Sequence, residues 1–256
     1  MKATLAGLGA KEAMAGGGEG HVIASFPKAV YASLPGGILV LVAPDVHPGP
    51  LYLVLDGPPP EVPADTRVQV GTRRIRVGEI DVDLRDAAEW AGALPSPAQL
   101  AWGATLLTEV ASDLASGSAL HADPFRDRAV DARSRLRAGD FAGMVERLAG
   151  LGPGLTPAGD DALAGVLFIR RTIGDEDAEP VLIDAARKAR TSVIASAFLS
   201  WAARGQALSS AHNLITAAGR GDQDGCVAAG AALASIGETS GADFALGLTW
   251  ALEAES

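Results

Sequence analysis

The pattern of apolar and polar positions divides the chain into a β-rich first part and a helical remainder. Between residues 21 and 85, short apolar or alternating runs are separated by prolines and glycines, as is typical of strands. The predicted strands are 22–26, 37–43, 51–55, 68–70 and 75–77. Several short strands at this spacing favour a small barrel or sandwich.

From about residue 86, the apolar positions recur at helical spacing, and glycines or prolines separate the runs. The predicted helices begin near residues 97, 126, 141, 157, 180, 209, 224 and 240. An acidic run at 175–179 is expected to precede the helix that starts at Pro180 and continues to about Ala203. The sequence therefore predicts an α+β fold, with a small β barrel or sandwich in residues 1–85 and an all-helical domain in residues 86–256.

The helical part is organised around a glycine-rich stretch, residues 150–161, with the sequence GLGPGLTPAGDD. Its first part, residues 150–157, is called the glycine turn below. Thr156 is a favourable N-cap and Pro157 a favourable first helical residue, so a helix is expected to start there. Gly152 and Gly154 permit backbone conformations that a side chain would disfavour. The following residues, 162–169, are apolar on every side, which predicts a buried helix.

Two neighbouring acids, Asp160 and Asp161, lie at the start of this helix. One interpretation is structural, because acids in the first turn stabilise a helix by about 0.3–1 kcal/mol each. The other is a binding site, since one acid suffices for the helix dipole and two adjacent carboxylates repel each other. A Mg²⁺–phosphate pair would suit such a site, with the metal on the carboxylates and the phosphate on the glycine turn. The residues alone leave both interpretations open.

A short pattern, G-x-D-x-x-x-G, occurs at residues 159–165 and again at residues 241–247. The alignment of the two copies matches Asp161 with Asp243, and each lies in the first turn of an apolar helix. Such short matches are common by chance in a chain rich in Ala and Gly, so they do not establish a duplication. The functional interpretation is that two helix N-termini converge on one polar pocket.

Composition narrows the classes of partner. The chain of 256 residues carries a formal net charge of −10, which argues against binding to nucleic acid or to an anionic membrane. It has no apolar run that approaches a membrane span of about 18 residues and no signal peptide, so a cytoplasmic protein is expected. The four histidines lack a metal-ligand spacing, so oxygen ligands and Mg²⁺ are favoured over zinc.

Three motifs carry a resemblance to a known family. They are the stretch at 150–161, the sequence RTSVIAS at 190–196 and the sequence GETSGAD at 237–243. They resemble the signature of the AllH-like family, long catalogued as a domain of unknown function. Its best-known member is a subunit of the oxamate carbamoyltransferase of anaerobic allantoin catabolism. The third motif departs from the family at Glu238, where His is common.

The resemblance implies a soluble subunit, or a relative, of a carbamoyltransferase that works with protein partner subunits. It implies that a small anion such as carbamoyl phosphate binds at the glycine turn. Asp160 and Asp161 would be catalytic or would bind Mg²⁺. The implied substrate-binding residues are Gly152, Gly154, Thr156, Arg190, Thr191, Ser240 and Asp243.

Two other functions remain compatible with the same residues. One is a Mg²⁺-dependent hydrolase that uses Asp160, Asp161 and Asp243 around a metal-bound water. The other is a non-catalytic scaffold subunit whose motifs only cap and pack helices. Arg190 has two interpretations as well: a structural ion pair with Asp160 or Asp161, or a clamp for a phosphate or carboxylate, which the resemblance favours.

Overall fold

A computed structural model describes residues 1–174 and 179–254 of the chain. The chain separates into two units, Met1–Gly92 and Ala93–Ser256, and each has a hydrophobic core of its own. The first unit is built on strands and the second on helices, so the predicted α+β fold is confirmed. The acidic run predicted at 175–179 lies outside the described residues except for Glu179.

The first unit is a nine-stranded sheet with the order β8-β7-β6-β2-β3-β4-β5-β1-β9. Most neighbouring strands are antiparallel, but β4 with β5 and β1 with β9 are parallel. A bridge between Lys2 and Asp83 brings the end of β8 back to the start of β1, so the sheet curls into a half-barrel. The strands are β1 (Ala3–Gly7), β2 (Gly18–Phe26), β3 (Ala29–Leu34), β4 (Gly37–Val42), β5 (Tyr52–Leu55), β6 (Arg67–Gly71), β7 (Arg74–Val77), β8 (Ile80–Asp83) and β9 (Ala88–Trp90).

Five elements of this unit are absent from the sequence prediction, namely strands β1, β3, β8 and β9 and one helix. Strand β1 and helix α1 (Leu8–Met14) precede the first predicted strand, and α1 packs its small residues Ala10 and Ala13 against the sheet. The helical pattern expected from residue 86 is wrong at its start, because Ala88–Trp90 forms strand β9. A strand of three residues shows no periodicity, and β9 exists through its pairing with distant β1.

The second unit is a helical assembly centred on α5, most of whose residues are buried. Helix α10 crosses α5 closely, because a Cβ at Gly247 would lie 1.9 Å from the carbonyl oxygen of Ala162. The helices are α2 (Pro97–Ala115), α3 (Arg126–Arg137), α4 (Phe141–Leu148), α5 (Ala158–Ile173), α6 (Glu179–Lys188), α7 (Val193–Ala202), α8 (Ser209–Arg220), α9 (Gln223–Ala234) and α10 (Ser240–Ala254). Within the described ranges, none of these helices combines the length and apolarity needed to cross a membrane.

The single helix predicted from Pro180 to about Ala203 is wrong. The chain leaves helix α6 after Lys188 and begins α7 at Val193. Ser192 caps α7, because its hydroxyl accepts a hydrogen bond from the backbone N–H of Ala195 at 3.0 Å. Arg190 and Thr191 therefore lie in a loop and not on a helix.

Candidate functional site

The glycine turn joins α4 to α5 through backbone conformations that favour glycine. Gly150, Gly152 and Gly154 have φ angles of 68°, 119° and 99°. The backbone N–H of Gly159 donates to the carbonyl of Leu151 at 2.8 Å, which folds the turn back on the start of the helix. No hydrogen bond among the described residues uses the backbone N–H groups of Gly152, Gly154 and Thr156. The turn therefore presents free donors at the positive end of the α5 dipole.

Helix α5 begins slightly later than predicted. Pro157 is the N-cap residue, with an extended ψ of 147°, and Ala158 is the first helical residue. Thr156 is thus not the N-cap, and its side chain instead lowers the pKa of Asp161. The side chain that the sequence assigned to capping contributes to the acidic site.

Asp160 is buried, and both of its carboxylate oxygens accept hydrogen bonds from the surrounding chain. Oδ1 accepts from the backbone N–H of Gly150 at 3.1 Å, and Oδ2 accepts from the hydroxyl of Thr191. Burial raises the pKa of Asp160, and these two bonds lower it in part. Asp160 therefore ties the glycine turn and the α6–α7 loop to the start of α5.

Asp161 is partly exposed, but its Oδ2 is buried and has no hydrogen-bond partner among the described residues. Burial raises its pKa well above the usual value, and the charges of Asp243 and Asp160 raise it further. Hydrogen bonds from the hydroxyls of Ser240 and Thr156 act in the opposite direction. Asp161 and Asp243 are therefore electrostatic neighbours, as the repeated G-x-D-x-x-x-G pattern suggested.

Asp243 is 0% exposed and lies in the first turn of α10. Its Oδ1 accepts from the hydroxyl of Ser118 at 2.5 Å and from the backbone N–H of Ala119 at 3.0 Å. Its Oδ2 is buried and, within the described chain, lacks a partner. Burial raises the pKa of Asp243, whereas hydrogen bonds from Ser118, Thr239 and the nearby backbone lower it.

Ser118 belongs to this cluster of polar side chains, and the sequence analysis missed it. It lies 125 positions from Asp243 in the chain, in the turn after α2, and no motif marks it. Its role is visible only once α2 and α10 have packed together. The structure thus groups Thr156, Asp160, Asp161, Thr191, Ser240 and Asp243, all predicted, with Ser118.

Arg190 does not form the structural ion pair with Asp160 or Asp161 that was one of its two interpretations. Asp160 bonds to Thr191 and Gly150 instead, and Arg190 is exposed and has no ion-pair partner among residues 1–174 and 179–254. The carbonyl oxygen of Arg190 lies against Gly150, because a Cβ added to Gly150 would be 3.0 Å from this oxygen. Its side chain lines a groove of about 650 Å³ between α4 and α6.

The side chains of this cluster provide few ligands for a metal ion. Within the part of the chain that the structure describes, no group of three or more His, Cys, Asp or Glu side chains could hold one. Asp160 already uses both oxygens, while Asp161 and Asp243 each keep one unpartnered oxygen. Binding of Mg²⁺ by Asp160 and Asp161 stays a prediction.

The comparison with protein families gives a match to the C-terminal part of the chain. Residues 148–252 match the family described as oxamate carbamoyltransferase subunit AllH, so the resemblance of the three motifs is confirmed. This segment contains the glycine turn, the α6–α7 loop and the start of α10, but not the curled sheet. The comparisons with curated proteins and with solved structures gave no significant match.

Proposed function

We propose that this chain is a subunit related to oxamate carbamoyltransferase and that it binds a small anion, such as carbamoyl phosphate, at the glycine turn. The observation that carries the proposal is the set of backbone N–H groups on Gly152, Gly154 and Thr156 that bond to no other group in the described chain, within the segment that matches the AllH family. Backbone donors at a helix N-terminus bind phosphate and carboxylate groups well. A subunit of this kind is expected to act with protein partners.

The mechanism that these groups support is positioning by electrostatics. The turn would hold the phosphate, and Arg190, which lines the groove between α4 and α6, would have to turn its side chain towards the phosphate to add a positive charge from the adjacent loop. Charge that develops on the phosphate as it leaves would be stabilised by donors already in place. No covalent intermediate on the protein is required.

Glycine substitutions test the anion site. In Gly154→Ala, a side chain is added at a φ of 99° in open space, so the change perturbs the conformation of the turn without a direct clash. We expect carbamoyl phosphate binding, measured by calorimetry, to weaken about tenfold or more, as for the loss of one charge-assisted hydrogen bond. Gly139→Ala is the matched control, because Gly139 also has positive φ and open space but lies outside the turn. If Gly154→Ala and Gly139→Ala bind carbamoyl phosphate equally well, the glycine turn is not the anion site.

The role of Arg190 is tested by Arg190→Gln against Arg187→Gln. Both arginines are exposed, and the two changes remove the same charge three positions apart. We expect Arg190→Gln alone to weaken binding of carbamoyl phosphate, and the difference to shrink at high salt. If both variants lose the same binding affinity, Arg190 contributes only to the overall positive charge and does not contact the anion directly.

A Mg²⁺-dependent hydrolase is the second candidate, and the unpartnered oxygens of Asp161 and Asp243 favour it. Mg²⁺ that binds only the folded state must raise the melting temperature of metal-stripped protein. Such a shift in the absence of any phosphate, lost in Asp161→Asn, would support this function. If neither Mg²⁺ nor any small anion shifts the melting temperature, the scaffold function is favoured.

A further inference from the structure

Two buried acceptors in the site lack donors. The Oδ2 atoms of Asp161 and Asp243, called the acid pair below, have no partner among the described residues. Asp243 is fully buried, and the start of α10 packs against α5, because a Cβ at Gly165 would lie 2.1 Å from the carbonyl oxygen of Phe244. A buried acceptor without a donor is destabilising, and such groups are rare in native proteins.

The chain supplies the acid pair with hydroxyls but not with cations. Ser118 donates to Asp243, and Ser240 and Thr156 interact with Asp161. A hydroxyl has a single hydrogen to donate, so these groups are already used. No Lys or Arg among the described residues forms an ion pair with either acid, and Arg190 lies in the loop beside Gly150. An N–H group of a bound molecule would satisfy both oxygens.

The position of the acid pair indicates what that molecule carries. Asp161 lies in the first turn of α5, directly after the glycine turn, and the side chain of Thr156 in that turn lowers its pKa. The N–H donors that no other described group uses are therefore close to the carboxylate acceptors. The turn suits an anion, whereas the acid pair suits a donor. A primary amide has two N–H hydrogens and fits two acceptors.

We infer that Asp161 and Asp243 bind the N–H group of a ligand, a primary amide or carbamoyl group, whose anionic end lies on the glycine turn. This inference rests on the function proposed above for the anionic end. In this arrangement, the acid pair determines the specificity for the N–H group. Asp160 has a different role, which is to hold the glycine turn in place.

Two ligands that differ only in this group provide the test. Carbamoyl phosphate and acetyl phosphate share the phosphate, but the first has an NH₂ where the second has a methyl group. We expect the wild-type full chain to bind carbamoyl phosphate about ten- to a hundredfold more tightly in calorimetry, as for a hydrogen bond to a charged group. In Asp161→Asn and in Asp243→Asn, the ratio should fall towards one while acetyl phosphate binding is kept.

Asp224→Asn is the matched control, because Asp224 lies in the first turn of α9 and is exposed. It should keep the wild-type ratio. Circular dichroism identifies any variant that fails to fold, and either member of the acid pair suffices for the test.

Three results would overturn the inference. An unchanged ratio in both variants would remove the acid pair from recognition while leaving the anion site intact. If Mg²⁺ alone stabilises the wild type but neither variant, the acid pair binds a cation and not an N–H group. Failure of the wild type to bind either phosphate would remove the proposed function and the inference together.

Discussion

At the scale of single residues, Asp160 and Asp161 are adjacent in the chain but have different surroundings. Asp160 is held by two donors, and one of them must be lost when Asn replaces it, because an amide group has a single acceptor atom. We expect Asp160→Asn to lower the free energy of unfolding by about 1–3 kcal/mol. Urea denaturation measures it.

Asp161→Asn should not lower the free energy of unfolding, in contrast to Asp160→Asn. The change removes a charge that burial and two neighbouring carboxylates disfavour, and it keeps one acceptor for the hydroxyls of Ser240 and Thr156. We expect an unchanged or higher free energy of unfolding, as is common for groups retained for function. Equal destabilisation by the two Asn variants would show that both acids serve the fold in the same way.

The raised pKa of Asp161 also predicts how this difference depends on pH. Because the folded-state pKa lies above the usual value of 3.8, the folded protein binds a proton that the unfolded chain releases, and stability falls as pH rises through that window. Asp161→Asn removes this dependence. Its stability advantage over the wild type should therefore be largest above the raised pKa and shrink as pH falls towards 3.8. Urea denaturation across this range measures it, and an advantage that grows on acidification would contradict the assigned pKa direction.

The local sequence pointed to most side chains of this cluster but not to the contacts between them. Asp160, Asp161 and Thr156 are found because they lie together in one motif, and Asp243 because its surroundings repeat part of it. The distinction between Asp160 and Asp161 is not in the motif, since it depends on a loop 31 positions away that supplies Thr191. Ser118 could not be found for the same reason.

At the scale of helices, the site depends on the close crossing of α5 and α10. Gly247 allows this crossing, because a Cβ there would lie 1.9 Å from a backbone oxygen of α5 that cannot move independently. We expect Gly247→Ala to lower the free energy of unfolding by about 1–3 kcal/mol and to weaken ligand binding as the two helices separate. Denaturation and calorimetry on the same variant measure both effects.

Gly230→Ala in α9 is the control for this substitution. A Cβ there meets the side chain of Val110 at 3.1 Å, and a side chain can adjust. Ala is favoured over Gly within a helix by about 1 kcal/mol, so this variant should be far less destabilised than Gly247→Ala. Similar losses in the two variants would show that the α5–α10 crossing tolerates a side chain.

The break between α6 and α7 illustrates what helical periodicity cannot predict. Residues 189–192 contain neither Pro nor Gly, so no helix-breaking residue interrupts the segment. The break is stabilised by the bond from Thr191 to Asp160 and by the Ser192 cap, of which only the second is local. A tertiary contact thus overrides the propensity of the segment to continue as a helix.

At the scale of the whole molecule, the change of periodicity was enough to predict a β part followed by a helical part. Alternating and helical patterns report which faces are buried, and that information is local. The order of the nine strands depends on pairings between distant segments, because β1 lies between β5 and β9, and a bridge joins Lys2 to Asp83. Such long-range pairings leave no local trace in the sequence.

The division into two units predicts that the helical unit carries the site alone. Its core, the residues of the site and the segment that matches the AllH family all lie within residues 93–256. We expect residues 93–256, produced alone, to fold and to keep the stabilisation by carbamoyl phosphate in thermal melting. A fragment that folds but loses this stabilisation would assign part of the binding site to the curled sheet.

The exact start of this fragment should matter. The carbonyl of Ala93 accepts a hydrogen bond at 3.0 Å from Nδ1 of buried His212, whose Nε2 accepts from the backbone N–H of Ala207, and Leu94 packs against the helical core. A fragment that starts at Ser96 keeps the cap of α2 but loses these contacts. We expect it to unfold about 1–3 kcal/mol more easily than 93–256, because a buried donor of His212 loses its acceptor. Urea denaturation compares the two fragments. Equal stability would mean that residues 93–95 are only a connection between the units, whereas the expected loss would make them part of the helical fold.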